Sequence, residues 1–211
     1  MFTGIVTATF PIVALTRKPG LTSFAVAFDD AHRRDLQIGA SVSLDGVCMT
    51  VTRIDGSQVH FDAAAETLGR TTFDGLALDR VLNVERSAKA GAEIGGHPLS
   101  GHVDGLAEVL AVERPENNCV ITFRIPPAYA RYVFNKGFIA LNGCSLTVCD
   151  FDRAGGTFRV YLIPETLRLT TFAGLRAGDR ANFEIDRNTQ VLVDTIYAAV
   201  QGALDAGVGR S

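Results

Sequence analysis

Hydrophobic and polar residues alternate along short segments of this chain, which is the pattern of strands with one buried face. In residues 23–28, for example, Phe24, Val26 and Phe28 alternate with serine and alanine. The other predicted strands are residues 41–44, 48–54 and 58–63, and then 119–125, 138–141, 146–151 and 157–163. Five or six short strands in each half predict a small closed barrel, because closure leaves no exposed sheet edge.

Parts of this pattern occur twice. The segment LDGVCMTV at residues 44–51 recurs as LNGCSLTV at residues 141–148, and both copies predict a hairpin corner that leads into a strand. Residues 66–73 also match 165–172, residues 83–85 match 182–184, and residues 3–6 align with 104–107. Blocks that recur in one order at a nearly constant offset predict a duplicated domain, since the repeat is too long for a solenoid.

Segments outside the strands have signals of their own. Residues 29–34 and 127–133 are predicted to be short helices that cap the barrels, and residues 86–101 to be an irregular link rich in glycine. Residues 187–201 lack glycine and proline and carry apolar residues at helical spacing, which predicts an amphipathic helix. We expect this helix to end near Gly202, before a frayed tail at residues 206–211.

This terminal helix has no counterpart in the first half of the chain. A lone amphipathic helix after a duplicated pair favours a role in packing or assembly. The alternative is that the helix folds back onto its own barrel, which would explain the same pattern of apolar residues.

The composition narrows the functional class. A net charge of −3 and 47% hydrophobic residues give no indication of a nucleic-acid partner. No apolar run is long enough to span a bilayer and the first residues lack a signal-peptide pattern, which favours a cytoplasmic protein without a membrane partner. The four cysteines form no Cys-x-x-Cys pair, and the spacing of His97, His102 and a cysteine fits no common zinc site, so we expect no metal.

Cys48 and Ser145 are the sharpest candidates for chemistry, because they occupy the same position in the two copies. Residues two apart on a strand share a face, so Cys48 should lie with Thr50, and Ser145 with Thr147. The framework is therefore the same in the two halves, while one reactive position changes from a thiol to a hydroxyl.

Other polar residues suggest ligand pockets. His102 lies among small residues between the halves, where it could move a proton or be purely structural. Glu–Thr pairs at residues 66–67 and 165–166 could fix a polar ligand or only satisfy turn backbone groups. Lys136 and Asp186 have no charged counterpart in the first half. Since no phosphate loop, dinucleotide fingerprint or serine elbow is present, the residues alone predict two related pockets with unequal roles.

Several segments together resemble the riboflavin synthase family of the alpha-chain type. They are residues 1–6, 83–86, 95–105, 136–139, 145–148 and 162–167. The resemblance implies a mainly β fold of two tandem Greek-key six-stranded β-barrels, formed by residues 1–97 and 98–186. It also implies a C-terminal α-helix and tail at residues 187–211 that builds a homotrimer, with the site between the first barrel of one subunit and the second barrel of a neighbour.

The implied reaction is the dismutation of two molecules of 6,7-dimethyl-8-ribityllumazine. It yields riboflavin and 5-amino-6-(D-ribitylamino)uracil by transfer of a four-carbon unit, and the family uses no metal and no redox cofactor. Two copies of one substrate suit two similar pockets, and holding them together would supply much of the acceleration. An association with lumazine synthase is left open.

The resemblance also assigns residues to roles. The implied catalytic residues are Phe2, Ser41, Cys48 and His102 for the first barrel, and Ser145, Thr147 and Asp186 for the second. The first pocket is implied to be lined by Gly4, Ile5, Val6, Cys48, Met49, Thr50, Asp62, Ala63, Ala64, Ala65, Glu66, Thr67, Gly101, His102 and Val103. The second is implied to be lined by Lys136, Ser145, Leu146, Thr147, Leu162, Ile163, Pro164, Glu165, Thr166 and Leu167.

Two positions depart from the family pattern, which has an aspartate at Asn142 and an aliphatic residue at Cys144. Asn–Gly still forms a hairpin corner, so only the corner's charge and hydrogen bonding change. The main alternative function is a non-catalytic lumazine- or flavin-binding antenna protein with the same barrels, and a structural or protein-binding barrel pair is a second. The presence of all the implied reactive residues favours the enzyme.

Overall fold

The first half of the chain closes into a six-stranded antiparallel barrel in the computed structural model, which describes residues 1–208. Pairing of β2 with β5, and of β3 with β6, joins strands that do not follow each other in sequence, as in a Greek key. The order around the barrel is β1-β2-β5-β4-β3-β6. The strands are β1 (Ala8–Lys18), β2 (Leu21–Ala27), β3 (Ser41–Leu44), β4 (Val47–Asp55), β5 (Gln58–Ala64) and β6 (Val81–Arg86).

The second half forms a seven-stranded sheet in the order β10-β9-β13-β7-β8-β12-β11. Its edge strands β10 and β11 are separated along the chain only by Val148, so together they correspond to the single strand β4. The predicted fold class is confirmed, but this barrel is nearly closed and counts seven strands because the segment breaks there. The strands are β7 (Gly105–Glu113), β8 (Cys119–Arg124), β9 (Phe138–Leu141), β10 (Cys144–Thr147), β11 (Cys149–Asp152), β12 (Thr157–Leu162) and β13 (Arg180–Ile185).

Each barrel has its own apolar interior, which the alternation along the strands explains. Val47, Met49 and Val51 of β4 point inward and are buried, as are Cys144 and Leu146 of β10. Residues between them, such as Cys48 and Ser145, therefore lie on the outer face. The four strands that periodicity did not predict are β1, β6, β7 and β13; a shift of register interrupts the alternation in β1 and in β7.

Short helices follow corresponding strands in the two halves. Helix α1 (Asp30–Arg33) confirms one predicted cap and begins after Asp29, whose carboxylate accepts from the His32 N–H. Helices α2 (Ala65–Arg70) and α3 (Pro164–Leu169) were not predicted, and each follows the strand that leads to a pocket. The other predicted cap is a 3₁₀ helix at Pro127–Tyr132, which begins with a proline as expected.

The terminal helix α4 (Arg187–Val208) is longer than predicted. Gly202 does not end it, because a single glycine costs a helix only about 1 kcal/mol and good helix formers follow. The predicted tail is thus helical to Val208, and residues 209–211 lie outside the described part of the chain. The helix is tied to the second barrel where the Tyr132 hydroxyl donates to Asp194 at 2.7 Å.

Within residues 1–208, none of the helices combines the length and apolar character needed to cross a membrane.

Candidate functional site

Two hairpin corners place Cys48 and Ser145 at equivalent points on the two barrels. Asp45 and Asn142 begin these corners with φ of +46° and +43°, and each is followed by a glycine with positive φ. Such backbone angles are those of a tight hairpin turn, which favours Asp–Gly and Asn–Gly. In the strands that follow, Cys48 and Ser145 are both half-buried on the outer face.

A segment from the opposite half covers each of these residues, residues 3–6 over Ser145 and residues 100–103 over Cys48. We call these two stretches the crossing segments. The Gly4 carbonyl accepts from the Ser145 N–H at 2.8 Å, and the Gly101 carbonyl accepts from the Cys48 N–H at 2.8 Å. A Cβ atom on Gly4 would lie 2.5 Å from the Ser145 Cβ, and one on Gly101 would lie 2.6 Å from the Cys48 Cβ. Only glycine fits at these two positions, so the backbone passes directly over each reactive side chain.

This arrangement corrects the sequence alignment of residues 3–6 with 104–107. Residues 3–6 correspond in space to residues 100–103, because Gly4 and Gly101 make the same contact with opposite barrels. The two halves thus exchange their leading segments. The segment that precedes each barrel packs against the other barrel. Each segment also donates a hydrogen bond to a buried glutamate of its own half, Thr3 to Glu85 and Ser100 to Glu184.

Two cavities lie beside the crossings, one on each barrel. The first has a volume of about 250 Å³ and is lined by Cys48, Glu66, Thr67, Arg70, His102 and Val103. The second has a volume of about 190 Å³ and is lined by Ile5, Ser145, Glu165, Thr166, Leu169 and Thr170. The lining residues of the two cavities correspond position by position. As the repeat suggested, each cavity contains one Glu–Thr pair together with either Cys48 or Ser145.

A third cavity of about 530 Å³ adjoins the first, since Cys48 and His102 line both. Its other lining residues include Met1, Asp186 and Asn188. Cys48 is therefore reached from two sides, whereas Ser145 is covered on one side by a histidine.

That histidine is His97, which sequence reasoning considered only as a zinc ligand. Its Nδ1 lies 2.6 Å from the Ser145 Oγ, and its ring stacks on Phe138 with centroids 5.1 Å apart. Gly96 permits the approach, because a Cβ there would lie 2.6 Å from the Ser145 Cβ. The adjacent glycines in the sequence were the available signal, but the contact spans 48 positions.

Burial controls the electrostatics of the second site. The pKa of His97 lies below its usual 6.5 because burial disfavours the imidazolium, although Asp186 acts in the opposite direction. The His97 Nε2 is buried without a hydrogen-bond partner. A neutral imidazole has one nitrogen that can accept a proton, and His97 is within hydrogen-bonding distance of the Ser145 hydroxyl, which lines the second cavity. Burial also raises the pKa of the neighbouring Cys144 thiol to about 12, which keeps it protonated.

Comparison with known proteins agrees with this architecture. The model of the lumazine binding domain matches residues 3–87 and again 100–186. The chain is 43% identical to riboflavin synthase of Escherichia coli K12 over 197 residues, covering 93% of this chain and 92% of that protein. It is 39% identical to riboflavin synthase of Chlamydia pneumoniae over 196 residues, covering 93% and 95%.

The chain belongs to the lumazine-binding domain family. Among solved structures, LumP complexed with riboflavin has a TM-score of 0.83 at 22% identity, covering 89% of this chain and 100% of that one. LumP complexed with 6,7-dimethyl-8-(1'-D-ribityl) lumazine has a TM-score of 0.80 at the same identity and coverage. At this identity the likeness shows the fold alone.

Within this lumazine-binding fold, the implied catalytic residues are distributed around both crossings. Ser41 pairs with Thr50 and Thr147 pairs with Phe138, two residues along the ladders from Cys48 and Ser145. Both Ser41 and Thr147 therefore share the outer face with the reactive residues. This placement is compatible with their implied roles, which stay predictions.

Phe2 and Asp186 are also near the first site but in different settings. Phe2 is buried and packs with Leu99 and Ala140 against Cys48. Its backbone N–H donates to the Leu99 carbonyl at 2.8 Å, so it anchors the crossing from beneath. Asp186 caps α4 by accepting from the Thr189 N–H and hydroxyl, and it lines the third cavity.

Some implied lining residues lie elsewhere than expected. Gly4, Ile5 and Val6 line the second cavity and not the first, because their segment crosses to Ser145. The side chains of Met49, Ala63 and Leu162 point into the barrel interiors. Lys136 lies at the turn before β9, where its N–H donates to the Val148 carbonyl at 2.8 Å.

The other implied lining residues lie on the strands and helices that border the cavities. Thr50 is exposed on the outer face of β4, and Gly101 and Val103 line the first cavity. Leu146 and the residues of α3 border the second cavity. The remaining members are exposed or half-buried at the ends of β5 and β12 and in α2 and α3: Asp62, Ala64, Ala65, Ile163, Pro164 and Leu167.

Proposed function

We propose that this protein is a riboflavin synthase. It would convert two molecules of 6,7-dimethyl-8-ribityllumazine into riboflavin and 5-amino-6-(D-ribitylamino)uracil. The observation that carries the proposal is the pair of corresponding pockets with different groups at equivalent positions. Cys48 and His102 line one pocket, and Ser145, whose hydroxyl contacts the buried His97, lines the other. Relatives over nine-tenths of the chain that are named riboflavin synthase support it.

The reaction fits a site built only from side chains. Four carbons leave one lumazine and join the other, so the atoms of the two products add up to those of the two substrates. No oxidant or reductant is needed, and the remainder of the donor leaves as 5-amino-6-(D-ribitylamino)uracil. What the site must supply is proximity, proton removal from a methyl group and proton return. His102, which lines the first pocket, and His97, which contacts Ser145 of the second, are the histidines placed to move protons.

We further propose a homotrimer in which the first pocket of one subunit faces the second pocket of a neighbour. The two cavities each open to the outer face of a different barrel. Helix α4 presents an exposed apolar face, including Leu192 and Ile196, that an assembly would cover. The proposal places the enzyme in the cytoplasm with the small-molecule lumazine as its substrate.

The decisive experiment incubates the purified protein with 6,7-dimethyl-8-ribityllumazine and follows riboflavin by its fluorescence. We expect one riboflavin for every two lumazines consumed, without added metal, nucleotide or flavin. A Ser145→Ala variant serves as the matched control and should turn over more slowly while still binding the lumazine. Tight binding of the lumazine by the native protein without any riboflavin would instead identify a non-catalytic lumazine-binding antenna protein, the main alternative that the sequence left open.

A further inference from the structure

Two buried glutamates hold the crossing segments in the same way. Glu85 at the end of β6 accepts from the Thr3 N–H at 2.6 Å and the Thr3 hydroxyl at 2.7 Å with Oε1, and from the Gly4 N–H at 3.1 Å with Oε2. Glu184 in β13 accepts from the Ser100 N–H at 2.8 Å and hydroxyl at 2.6 Å with Oε1, and from the Gly101 N–H at 2.9 Å with Oε2. Each carboxylate thus receives three donors.

The segment that each glutamate holds lines a pocket on the opposite barrel. Gly4, held by Glu85 of the first barrel, accepts from the Ser145 N–H of the second. Gly101, held by Glu184 of the second barrel, accepts from the Cys48 N–H of the first. The residue that follows each glycine then lines that pocket, Ile5 beside Ser145 and His102 beside Cys48.

We propose that Glu85 and Glu184 are positioning residues with crossed effects. Glu85 sets the shape of the Ser145 pocket, and Glu184 sets the Cys48 pocket together with the placement of His102. This inference rests on the proposed function, because the ligand whose binding it concerns is the lumazine or its flavin product.

A carboxylate is the side chain that this task requires. Three donors converge on each group, and an ionised carboxylate has two oxygens that can both accept. Glutamine would keep one accepting oxygen and turn an N–H donor toward a glycine N–H, leaving that buried donor unpaired. Burial raises the pKa of Glu85 above its usual value, and the three hydrogen bonds from Thr3 and Gly4, which favour the ionised form, offset only part of that effect.

The duplication itself provides a site-specific test. Cys48 reports on the first pocket, because a bound ligand should protect its thiol from iodoacetamide. A second chain with Cys48→Ser and Ser145→Cys carries the reporting thiol in the second pocket. Alkylation at either position is measured by peptide mass spectrometry as riboflavin is titrated onto the full-length protein, which gives a separate dissociation constant for each pocket.

Glu184→Gln should weaken riboflavin protection at position 48 roughly tenfold and leave protection at position 145 nearly unchanged, since one buried donor loses its acceptor. Glu85→Gln should give the reverse pattern. Glu108→Gln, at an exposed glutamate paired with Arg124, is the matched control and should alter neither pocket. Two milder substitutions test the same crossed pattern should a glutamine variant fold poorly. Thr3→Val removes the hydroxyl donor to Glu85, and Ser100→Ala removes the hydroxyl donor to Glu184.

The crossed pattern is what supports the inference. Equal weakening of both pockets, weakening of the pocket on the glutamate's own barrel, or no weakening in any of the four variants would overturn it. In each of these cases the native pockets still bind riboflavin, so the proposed function stands. The proposed function fails, and the inference with it, if riboflavin and the lumazine protect neither thiol in the two chains that keep Thr3, Glu85, Ser100 and Glu184.

Discussion

At the scale of single residues, the duplicated chain differs most where its chemistry is expected. Cys48 and Ser145 have the same backbone setting under a crossing glycine, but only Ser145 has a buried histidine within hydrogen-bonding distance. A thiol open to two cavities and a hydroxyl held by a neutral imidazole differ in acidity and in freedom to rotate. Two similar pockets could in this way act differently on two copies of one substrate.

Replacing His97 tests this difference. His97→Phe keeps a ring on Phe138 and removes the bond to Ser145, so we expect riboflavin formation to slow by roughly 10- to 100-fold. Stability should not fall, because the substitution also removes the buried Nε2 that has no partner. His97→Asn, which keeps a polar atom near Nδ1, should recover part of the rate. In a Ser145→Ala background, His97→Phe should have little further effect; a full additional loss would contradict a role through Ser145.

Asp45 is buried at the first hairpin corner. Its carboxylate accepts from the Asn83 N–H at 2.8 Å and from Arg80 at 3.2 Å. Burial raises its pKa above 3.8 although both partners lower it. Its stabilising contribution is therefore present below the unfolded pKa and lost as the pH rises through the folded pKa.

We expect Asp45→Asn, the residue that occupies the equivalent corner as Asn142, to gain stability relative to the native protein as the pH rises. Asp45→Ala should lose about 1–3 kcal/mol at neutral pH, because the Asn83 N–H is left unpaired. Urea unfolding at several pH values measures both. An asparagine variant that loses ground toward neutral pH would show that the Arg80 ion pair outweighs burial.

At the scale of elements, the crossing segments do more for the site than their irregular structure suggests. Gly4 and Gly20 both have φ of +76°, but a Cβ atom added at Gly4 would lie 2.5 Å from the Ser145 Cβ, whereas one added at Gly20 would meet nothing within 4 Å. Gly4→Ala should therefore bring both backbone strain and a collision with Ser145, whereas Gly20→Ala should bring the strain alone.

The expected outcome is that Gly4→Ala sharply reduces riboflavin formation and that Gly20→Ala leaves it near the native rate. Both should lower the free energy of unfolding, Gly20→Ala by about 1 kcal/mol and Gly4→Ala by more. Turnover and urea unfolding are measured side by side. Equal turnover in the two variants would exclude a close role for the Gly4 segment in the second pocket.

Helix α4 is the other element whose role can be tested directly. Val191, Leu192, Ile196 and Val200 are each more than half exposed on one face of the helix. Ile196→Glu should disrupt an assembly built on this face, giving a smaller species on sizing and a large loss of turnover. Ala198→Glu, on a different face, is the matched control and should keep the native size. Full turnover by a monomeric Ile196→Glu protein would refute a site shared between subunits.

At the scale of the whole molecule, the two barrels meet through their corners as a nearly symmetrical pair. Asn83 donates to the Asn142 carbonyl at 2.9 Å and accepts from the Thr171 N–H at 2.8 Å, both in the second half. Asn182 makes the corresponding contacts with Asp45 and the Thr72 N–H at 2.8 Å. Each barrel therefore satisfies buried backbone groups of the other.

Asn83→Ala and Asn182→Ala should each destabilise the protein by about 1–3 kcal/mol or more, because buried groups of the opposite barrel lose their partners. Asn188→Ala, at an exposed position of α4, should change stability little. Unfolding should remain a single transition in the native protein, since the barrels depend on each other. Two separate transitions in the native protein would mean that the interface contributes little.

The repeat, the hairpin corners, most of the strands and the equivalence of Cys48 with Ser145 can all be predicted from the amino-acid sequence. These follow from local rules, since turn chemistry and a two-residue period are visible within a few positions. The sequence also pointed to His102 and to both Glu–Thr pairs as pocket residues. Strands with interrupted alternation and a glycine inside α4 misled the same rules.

The way in which the two halves are joined is visible only in the folded chain. Each leading segment packs on the opposite barrel, so that Gly4, Ile5 and Val6 line the second pocket. His97 lies beside Ser145. These contacts join residues far apart in sequence and depend on where a chain without periodicity passes. Buried glutamates and glycines set the geometry of these contacts. In a local sequence pattern these residues look like ordinary strand and turn residues, so such a pattern does not predict the contacts.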